Sequence, residues 1–121
     1  MYFDETKPDV VVNILGTDYA IYMNVPTTAD KTLERCEGYC DKTTKRLVIG
    51  KLGDECNLGA PTEYIKYVVR HEVIHAFLFE SGIGGDTVWD IDGQEHPEHM
   101  VEWFGMQFPK IAAVYETLGV M

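Results

Sequence analysis

The chain has few basic residues and no long hydrophobic run. Its 121 residues include 20 acidic side chains but only 10 lysines and arginines, so its formal net charge is −10 at pH 7. That charge repels phosphate backbones and anionic membrane surfaces. The one basic patch, Lys42 to Arg46, contains three cations and is better explained as a solvated hairpin turn. No stretch approaches the roughly 18 apolar residues of a membrane-spanning helix. We therefore expect no nucleic acid and no membrane among its partners.

The sequence also lacks the marks of an exported protein. Its first five residues contain neither a basic n-region nor an apolar h-region. The three cysteines, Cys36, Cys40 and Cys56, form an odd set, which favours reduced thiols over a disulfide framework. Cys36 and Cys40 could instead belong to a second metal site or a redox pair, but no second cysteine pair lies near them. We expect a cytoplasmic protein.

Length and patterning predict a single α+β domain over residues 1–121. Residues 10–15 and 19–23 flank Gly16 and predict a β-hairpin, and residues 38–41 and 45–49 predict a second pair of strands. Residues 26–35 fit either a short helix or a loop. Because the strands occupy the first half and helices the second, we expect a small, mainly antiparallel sheet packed on a central helix.

Two helices are predicted in the second half. The first begins near Pro61 and ends at Gly82, and a loop then continues through about Glu95. The second begins near Pro97, and Pro109 should kink or split it. Its apolar residues recur at helical spacing: Met100, Val101, Phe104, Phe108, Ile111, Val114, Tyr115 and Leu118. We expect Trp89, Trp103 and the methionines and phenylalanines of this helix to be core residues.

All four histidines fall between residues 71 and 99, and the first two form an HExxH motif, His71-Glu72-Val73-Ile74-His75. Residues four apart on a helix share a face with Cβ atoms roughly 5–6 Å apart, so both imidazoles can reach one tetrahedral cation. Glu72 is rotated about 100° from His71 and is better placed to meet a metal-bound water than to bind the metal. The motif predicts a zinc hydrolase.

A catalytic zinc usually has three protein ligands, so a third ligand is expected downstream. Glu98 is the preferred residue, because Glu98 and Glu102 share one helical face. Glu98 can then bind the metal while Glu102 accepts a hydrogen bond from a ligand imidazole. His99 is the main competitor. The full set of candidates is Glu95, His96, Glu98, His99 and Glu102.

With its two glutamates downstream, the HExxH motif resembles the gluzincin clan of zinc metallopeptidases. Within that clan the chain is most similar to the very small phage- or prophage-type cytosolic metallopeptidases labelled SprT-like or ImmA/IrrE-like. The similarity is strongest in residues 70–82 and 100–110 and weaker in residues 38–41. It therefore covers much of residues 38–110. Glu102 is a departure, since aspartate is commoner there and the extra methylene alters its reach. In the SprT-type pattern His99 would be the third ligand.

The resemblance implies a zincin-like fold, Zn²⁺ as cofactor and, if the protein is phage-encoded, action in the host cytoplasm. It also implies that a peptide substrate aligns along an edge strand, for which residues 47–49 and 38–41 are the two candidates. The implied ligands are His71, His75 and Glu98. Glu72 would act as general base on the metal-activated water and then pass the proton to the leaving amine.

Several alternatives stay open on the sequence alone. The oxyanion donor could be His96, His99, Tyr64 or Tyr67. The leading hypothesis is a zinc-dependent endopeptidase acting on a peptide or protein. The alternative is a catalytically silent, metal-stabilised regulatory or binding module, which the small size favours. A hydrolase of non-peptide amides such as cell-wall material is a third option, which the lack of an export signal disfavours. The sequence gives neither the substrate's identity nor the oligomeric state.

Overall fold

The computed structural model of the protein describes residues 4–53, 56–82 and 98–121; for residues 98, 99, 101 and 105 it describes the backbone only. The predicted loop after Gly82, with Glu95, His96 and Trp89, therefore lies outside the described residues. No helix of the described part combines the length and the apolar character that spanning a membrane requires.

The first half of the chain forms a four-stranded sheet. Strands β1 (Val10–Ile14), β2 (Thr17–Val25), β3 (Gly38–Asp41) and β4 (Arg46–Gly50) are arranged in the order β1-β2-β4-β3. Both predicted hairpins are confirmed as antiparallel pairs, whereas β2 and β4 pair in parallel. The sheet is therefore mixed rather than purely antiparallel, because the two hairpins join through their second strands, which run in the same direction.

The first hairpin turns through Leu15 and Gly16, whose φ angles are 52° and 96°. Positive φ at both central residues is the geometry of a two-residue type I′ turn, which matches the twist of the flanking strands. The Asn13 side chain accepts a hydrogen bond from the Gly16 N–H at 2.9 Å and closes the turn. The φ of Leu15 lies in the narrow left-handed range that other residues can adopt, whereas the 96° of Gly16 lies outside it and explains the glycine at this position.

The ambiguous segment before β3 forms two short 3₁₀ helices, Thr27–Ala29 and Lys31–Glu34. Asp30 caps the second of these, since its carboxylate accepts a hydrogen bond from the Thr32 N–H at 2.9 Å. The segment buries Leu33 in a small cluster on one face of the sheet, with Tyr22, Val25 and Val48.

Two long helices cover the other face of the sheet. Helix α1 spans Pro61–Glu80 and helix α2 spans Glu98–Leu118. Pro109 does not split α2, which continues through the proline; the alternative, a kink at Pro109, stays a prediction. Before the proline, the Trp103 indole donates a hydrogen bond to Ser81, just after α1, and after the proline Ile111 is buried in the core. Because both parts of the helix are held in this way, the loss of one helical hydrogen bond does not end it.

Contacts near the end and the middle of α1 show that the two helices run antiparallel. Near the end of α1, the Trp103 indole N–H donates to Ser81 Oγ at 3.2 Å. Near its middle, Arg70 donates to the Val120 carbonyl at 2.7 Å, and the Tyr115 hydroxyl donates to the Arg70 carbonyl at 3.3 Å. The main core between sheet and helices includes Ile14, Tyr19, Ile21, Leu47, Ile49, Val69, Val73, Phe77 and Ile111, each almost fully buried.

The expectation that the methionines and phenylalanines of α2 belong to the core is wrong for three of them. Phe104, Met106 and Phe108 are exposed by 37%, 67% and 55%, whereas Trp103 is half-buried against the core. Phe104 lies two turns before Ile111 on the same side of the helix, so spacing alone predicts its burial. Its exposure shows that the core does not extend along the whole of α2.

Candidate metal centre

Both histidines of the HExxH motif lie on α1, and their rings meet on its surface. The Nε2 atoms of His71 and His75 are 3.2 Å apart, and the ring centroids are 4.9 Å apart with the planes tilted by 69°. The helix produces this pairing directly, because residues four apart stand one above the other on one face. His71 is exposed and His75 is half-buried.

This spacing suits a shared zinc ion. Two nitrogens that each bind a tetrahedral zinc at about 2.0–2.1 Å must lie roughly 3.3–3.4 Å from each other. The observed 3.2 Å needs almost no adjustment. It is also a hydrogen-bonding distance between a protonated and an unprotonated imidazole nitrogen. The distance between the two nitrogens is therefore compatible both with a shared zinc ion and with a direct hydrogen bond.

Aromatic neighbours line the same face of α1. The Tyr67 ring lies 6.1 Å from that of His71, and the Phe79 ring stacks on His75 at 6.0 Å with a tilt of 21°. Burial lowers the pKa of His75, and the neighbouring His71 lowers it further. A lowered pKa keeps the His75 imidazole neutral near pH 7, which is the form that binds metal.

Glu72 lies beside His71 and lines the same cavity, between α1 and the start of β3. It is only 8% exposed and is the one charged residue in the described core. No described residue donates a hydrogen bond to its carboxylate. Burial raises its pKa, whereas nearby His71 lowers it. A largely buried carboxyl group with a raised pKa that lines a cavity is a feature of functional sites.

No third potential metal ligand lies beside His71 and His75 among the residues with described side chains. Glu98 is the first residue of α2 and Glu102 follows one turn later with an exposed side chain. The side chains of Glu98 and His99 lie outside the description, as do Glu95 and His96. Within the described part of the chain, which includes His71, His75 and Glu102, no group of three potential ligands could hold a metal ion.

Strand β3 forms the edge of the sheet beside the motif. It pairs with β4 alone among the described strands, whereas β4 lies between β2 and β3 and has no free edge. Of the two predicted substrate strands, residues 47–49 are therefore excluded and residues 38–41 remain. Gly38 lets β3 approach α1, because a Cβ there would lie 3.0 Å from Val68 Cγ1.

The two tyrosines proposed as oxyanion donors have different surroundings in the structure. The Tyr64 hydroxyl donates to the Glu37 carboxylate, a bond that raises the pKa of Tyr64. Tyr67 is 51% exposed and stands one helical turn before His71. Tyr67 is thus the better placed of the two to reach a substrate beside the histidines.

Sequence reasoning missed a polar cluster that ties the end of α1 to the sheet. The Glu80 carboxylate accepts hydrogen bonds from Tyr19 at 2.7 Å, Thr17 at 2.9 Å and Lys45 at 2.7 Å. The bond from Lys45 is the largest of the effects that lower the pKa of Glu80 to about 2. The only signal in the sequence was an acidic residue in the last turn of a helix, where the helix dipole disfavours it.

The cysteines are free thiols, and none belongs to a potential metal group of the described residues. Burial raises the pKa of Cys40 to about 12, and the negative charge of Glu72 adds to the effect. Burial also raises the pKa of Cys36. Thiols with raised pKa values are poor nucleophiles and poor metal ligands.

No protein-family profile, curated protein or solved structure matches this chain.

Proposed function

We propose that the protein is a zinc-dependent metallopeptidase that hydrolyses peptide bonds in the cytoplasm. The observation that carries the proposal is the 3.2 Å separation of the His71 and His75 Nε2 atoms, beside the buried carboxylate of Glu72. Two surface histidines that lie together by chance would not be expected to have a buried carboxylate beside them. Glu98 is the proposed third ligand, and Glu102 is proposed to accept a hydrogen bond from a ligand imidazole.

The roles of the protein's own groups follow from their positions. His71 and His75 would hold the ion through Nε2. Bound zinc supplies Lewis acidity, which polarises a carbonyl and makes water easier to deprotonate. Glu72 takes a proton from the attacking water and delivers it to the nitrogen of the scissile amide. Its burial suits this task, because a desolvated carboxylate binds a proton more readily than an exposed one.

The substrate in this proposal is an extended peptide that pairs with β3. An edge strand offers unpaired backbone N–H and C=O groups, which fix the peptide's direction and register without reading its side chains. β3 packs against α1 one turn before His71, through Gly38 and Val68. A peptide lying along this edge passes close to the histidine pair.

The substitution Glu72→Gln tests the catalytic part of the proposal. Zinc-loaded wild type and variant are incubated with peptides prepared from a cell lysate by cleavage after glutamate, and new termini are read by mass spectrometry. The wild type should generate new termini, and Glu72→Gln should lower their yield at least a hundredfold while keeping its zinc. Glu116→Gln is the matched control, since it makes the same chemical change at an exposed position of α2. Equal cleavage by wild type and Glu72→Gln would refute the role of Glu72.

The second candidate function is a metal-stabilised binding module without catalysis. The observation that favours it is the small cleft beside the motif, a cavity of about 210 Å³. This reading predicts that zinc removal lowers the unfolding temperature and that no products depend on Glu72. The peptidase reading predicts products that disappear in Glu72→Gln.

A further inference from the structure

The cavity beside the HExxH motif has a distinct chemical character. It lies between the start of β3 and the first half of α1, and reaches from Glu37 and Tyr64 at one end to His71 and Glu72 at the other. Tyr67 lines the wall between these ends. Tyr64 and His71 are seven residues apart, so the cavity extends roughly 10 Å along the helix. A long side chain is needed to span it.

The far end of the cavity carries a fixed negative charge. The Glu37 carboxylate accepts a hydrogen bond from the Tyr64 hydroxyl, and the Glu37 carbonyl accepts one from the Gly50 N–H at 2.8 Å. The second bond continues the β3–β4 pairing, so the backbone of Glu37 is held by the sheet. Among the residues that the structure describes, no lysine or arginine lines the cavity.

The wall of the cavity is aromatic. The rings of Tyr64 and Tyr67 have centroids 6.0 Å apart and are tilted by 41°. Aromatic faces attract ammonium and guanidinium groups, and the methylene stems of lysine and arginine pack well on such surfaces. A cavity with an acid at its end and tyrosines along its side is complementary to one long cationic side chain.

We infer that this cavity is a specificity pocket for a lysine or arginine of the substrate next to the scissile bond. The inference rests on the proposed function, since it places the pocket beside a reacting amide. Glu37 is its specificity-determining residue and acts by charge, while Tyr67 supports the side chain's stem. A glutamate or aspartate at the same substrate position is repelled by Glu37 and Glu72.

A binding experiment tests the pocket independently of cleavage. Fluorescein-labelled octapeptides of alanine, serine and glycine carry one variable residue, either lysine, norleucine, phenylalanine or glutamate. Their affinity for the full-length Glu72→Gln variant is measured by fluorescence anisotropy, with and without zinc. An exposed ion pair together with a cation–π contact predicts lysine binding about three- to tenfold tighter than norleucine.

The substitution Glu37→Gln, made in the same background, should abolish the preference for lysine, and Glu37→Lys should reverse it in favour of glutamate. Glu37 is exposed, so neither change should prevent folding. Glu116→Gln should leave the preference intact. Equal binding of the lysine and norleucine peptides, binding of neither, or a lysine preference that survives Glu37→Gln would overturn the inference. Preserved lysine preference without any Glu72-dependent cleavage would instead refute the peptidase proposal alone.

Discussion

Gly38 on strand β3 and Val68 on helix α1 lie so close that a Cβ on the glycine would be 3.0 Å from Val68 Cγ1. The same Cβ would also lie 3.2 Å from the Val48 carbonyl oxygen. The absence of a side chain at position 38 therefore sets the distance between the edge strand and helix α1.

We expect Gly38→Ala to lower the free energy of unfolding by about 1–3 kcal/mol, because the neighbouring atoms must move to admit the methyl group. It should lower cleavage while leaving the histidine pair able to bind zinc. Urea unfolding and zinc content measure the two effects separately. Gly59→Ala is the control, since nothing lies within 4 Å of a Cβ there. A Gly38→Ala variant as stable and active as wild type would show that β3 does not need this close approach.

The Glu80 cluster predicts an acid-sensitive contribution to stability. Three hydrogen bonds, one of them from Lys45, hold the pKa of Glu80 at about 2, below its usual 4.5. A folded-state pKa below the unfolded value stabilises the protein above the unfolded pKa, and this stabilisation is lost as the pH falls towards 2. Glu80→Gln should therefore be about 1–3 kcal/mol less stable than wild type at pH 7.

The difference between wild type and Glu80→Gln should shrink as the pH is lowered from 5 to 2. Urea unfolding of both proteins across this range measures it. Glu63→Gln provides the comparison, because the Glu63 side chain is exposed and pairs with Lys66 at 3.5 Å. This change should alter stability by less than about 1 kcal/mol. A difference that does not depend on pH would show that Glu80 acts through packing rather than through its charge.

Much of the fold was predictable because it follows from local pattern. Gly16 indicated a turn and Pro61 indicated the start of α1, because the backbones of glycine and proline favour these positions. Both predicted hairpins and the predicted α1 agree with the structure. The parallel pairing of β2 with β4 was not predictable, since nothing local specifies which strands of two hairpins meet. The continuation of α2 through Pro109 depends on tertiary contacts of Trp103 and Ile111, which periodicity does not show.

The candidate site also has one part that local pattern predicted and another that depends on tertiary contacts. His71, Glu72 and His75 lie on one helix, so helical geometry alone predicted that the imidazoles meet. Glu37 and Tyr64 come together only because β3 packs on α1, and no spacing in the sequence connects them. The third ligand depends on how α2 begins relative to α1, which is again a tertiary relationship, and it stays a prediction.

Paired substitutions can identify the third ligand. If Glu98 binds the metal, Glu98→Gln should weaken zinc affinity by more than about a hundredfold, beyond the loss expected for a residue that only orients a ligand, while His99→Gln should have little effect. The opposite result would assign the role to His99. Glu102→Gln should cause a smaller, 10- to 100-fold, loss of affinity or activity if it orients a ligand imidazole. Competition with a fluorescent zinc chelator measures all three variants, and unchanged affinity in every one would exclude this helix as the source of a ligand.

The central claim is that the histidine pair of α1 binds zinc, and the zinc content of the purified protein tests it most directly. The full chain is loaded with excess zinc, passed through a desalting column and analysed by mass spectrometry of the metal, with folding checked by circular dichroism. Wild type and Glu72→Gln should retain about one zinc per chain, and His71→Ala and His75→Ala close to none. A folded wild-type protein that emerges free of zinc would contradict the account.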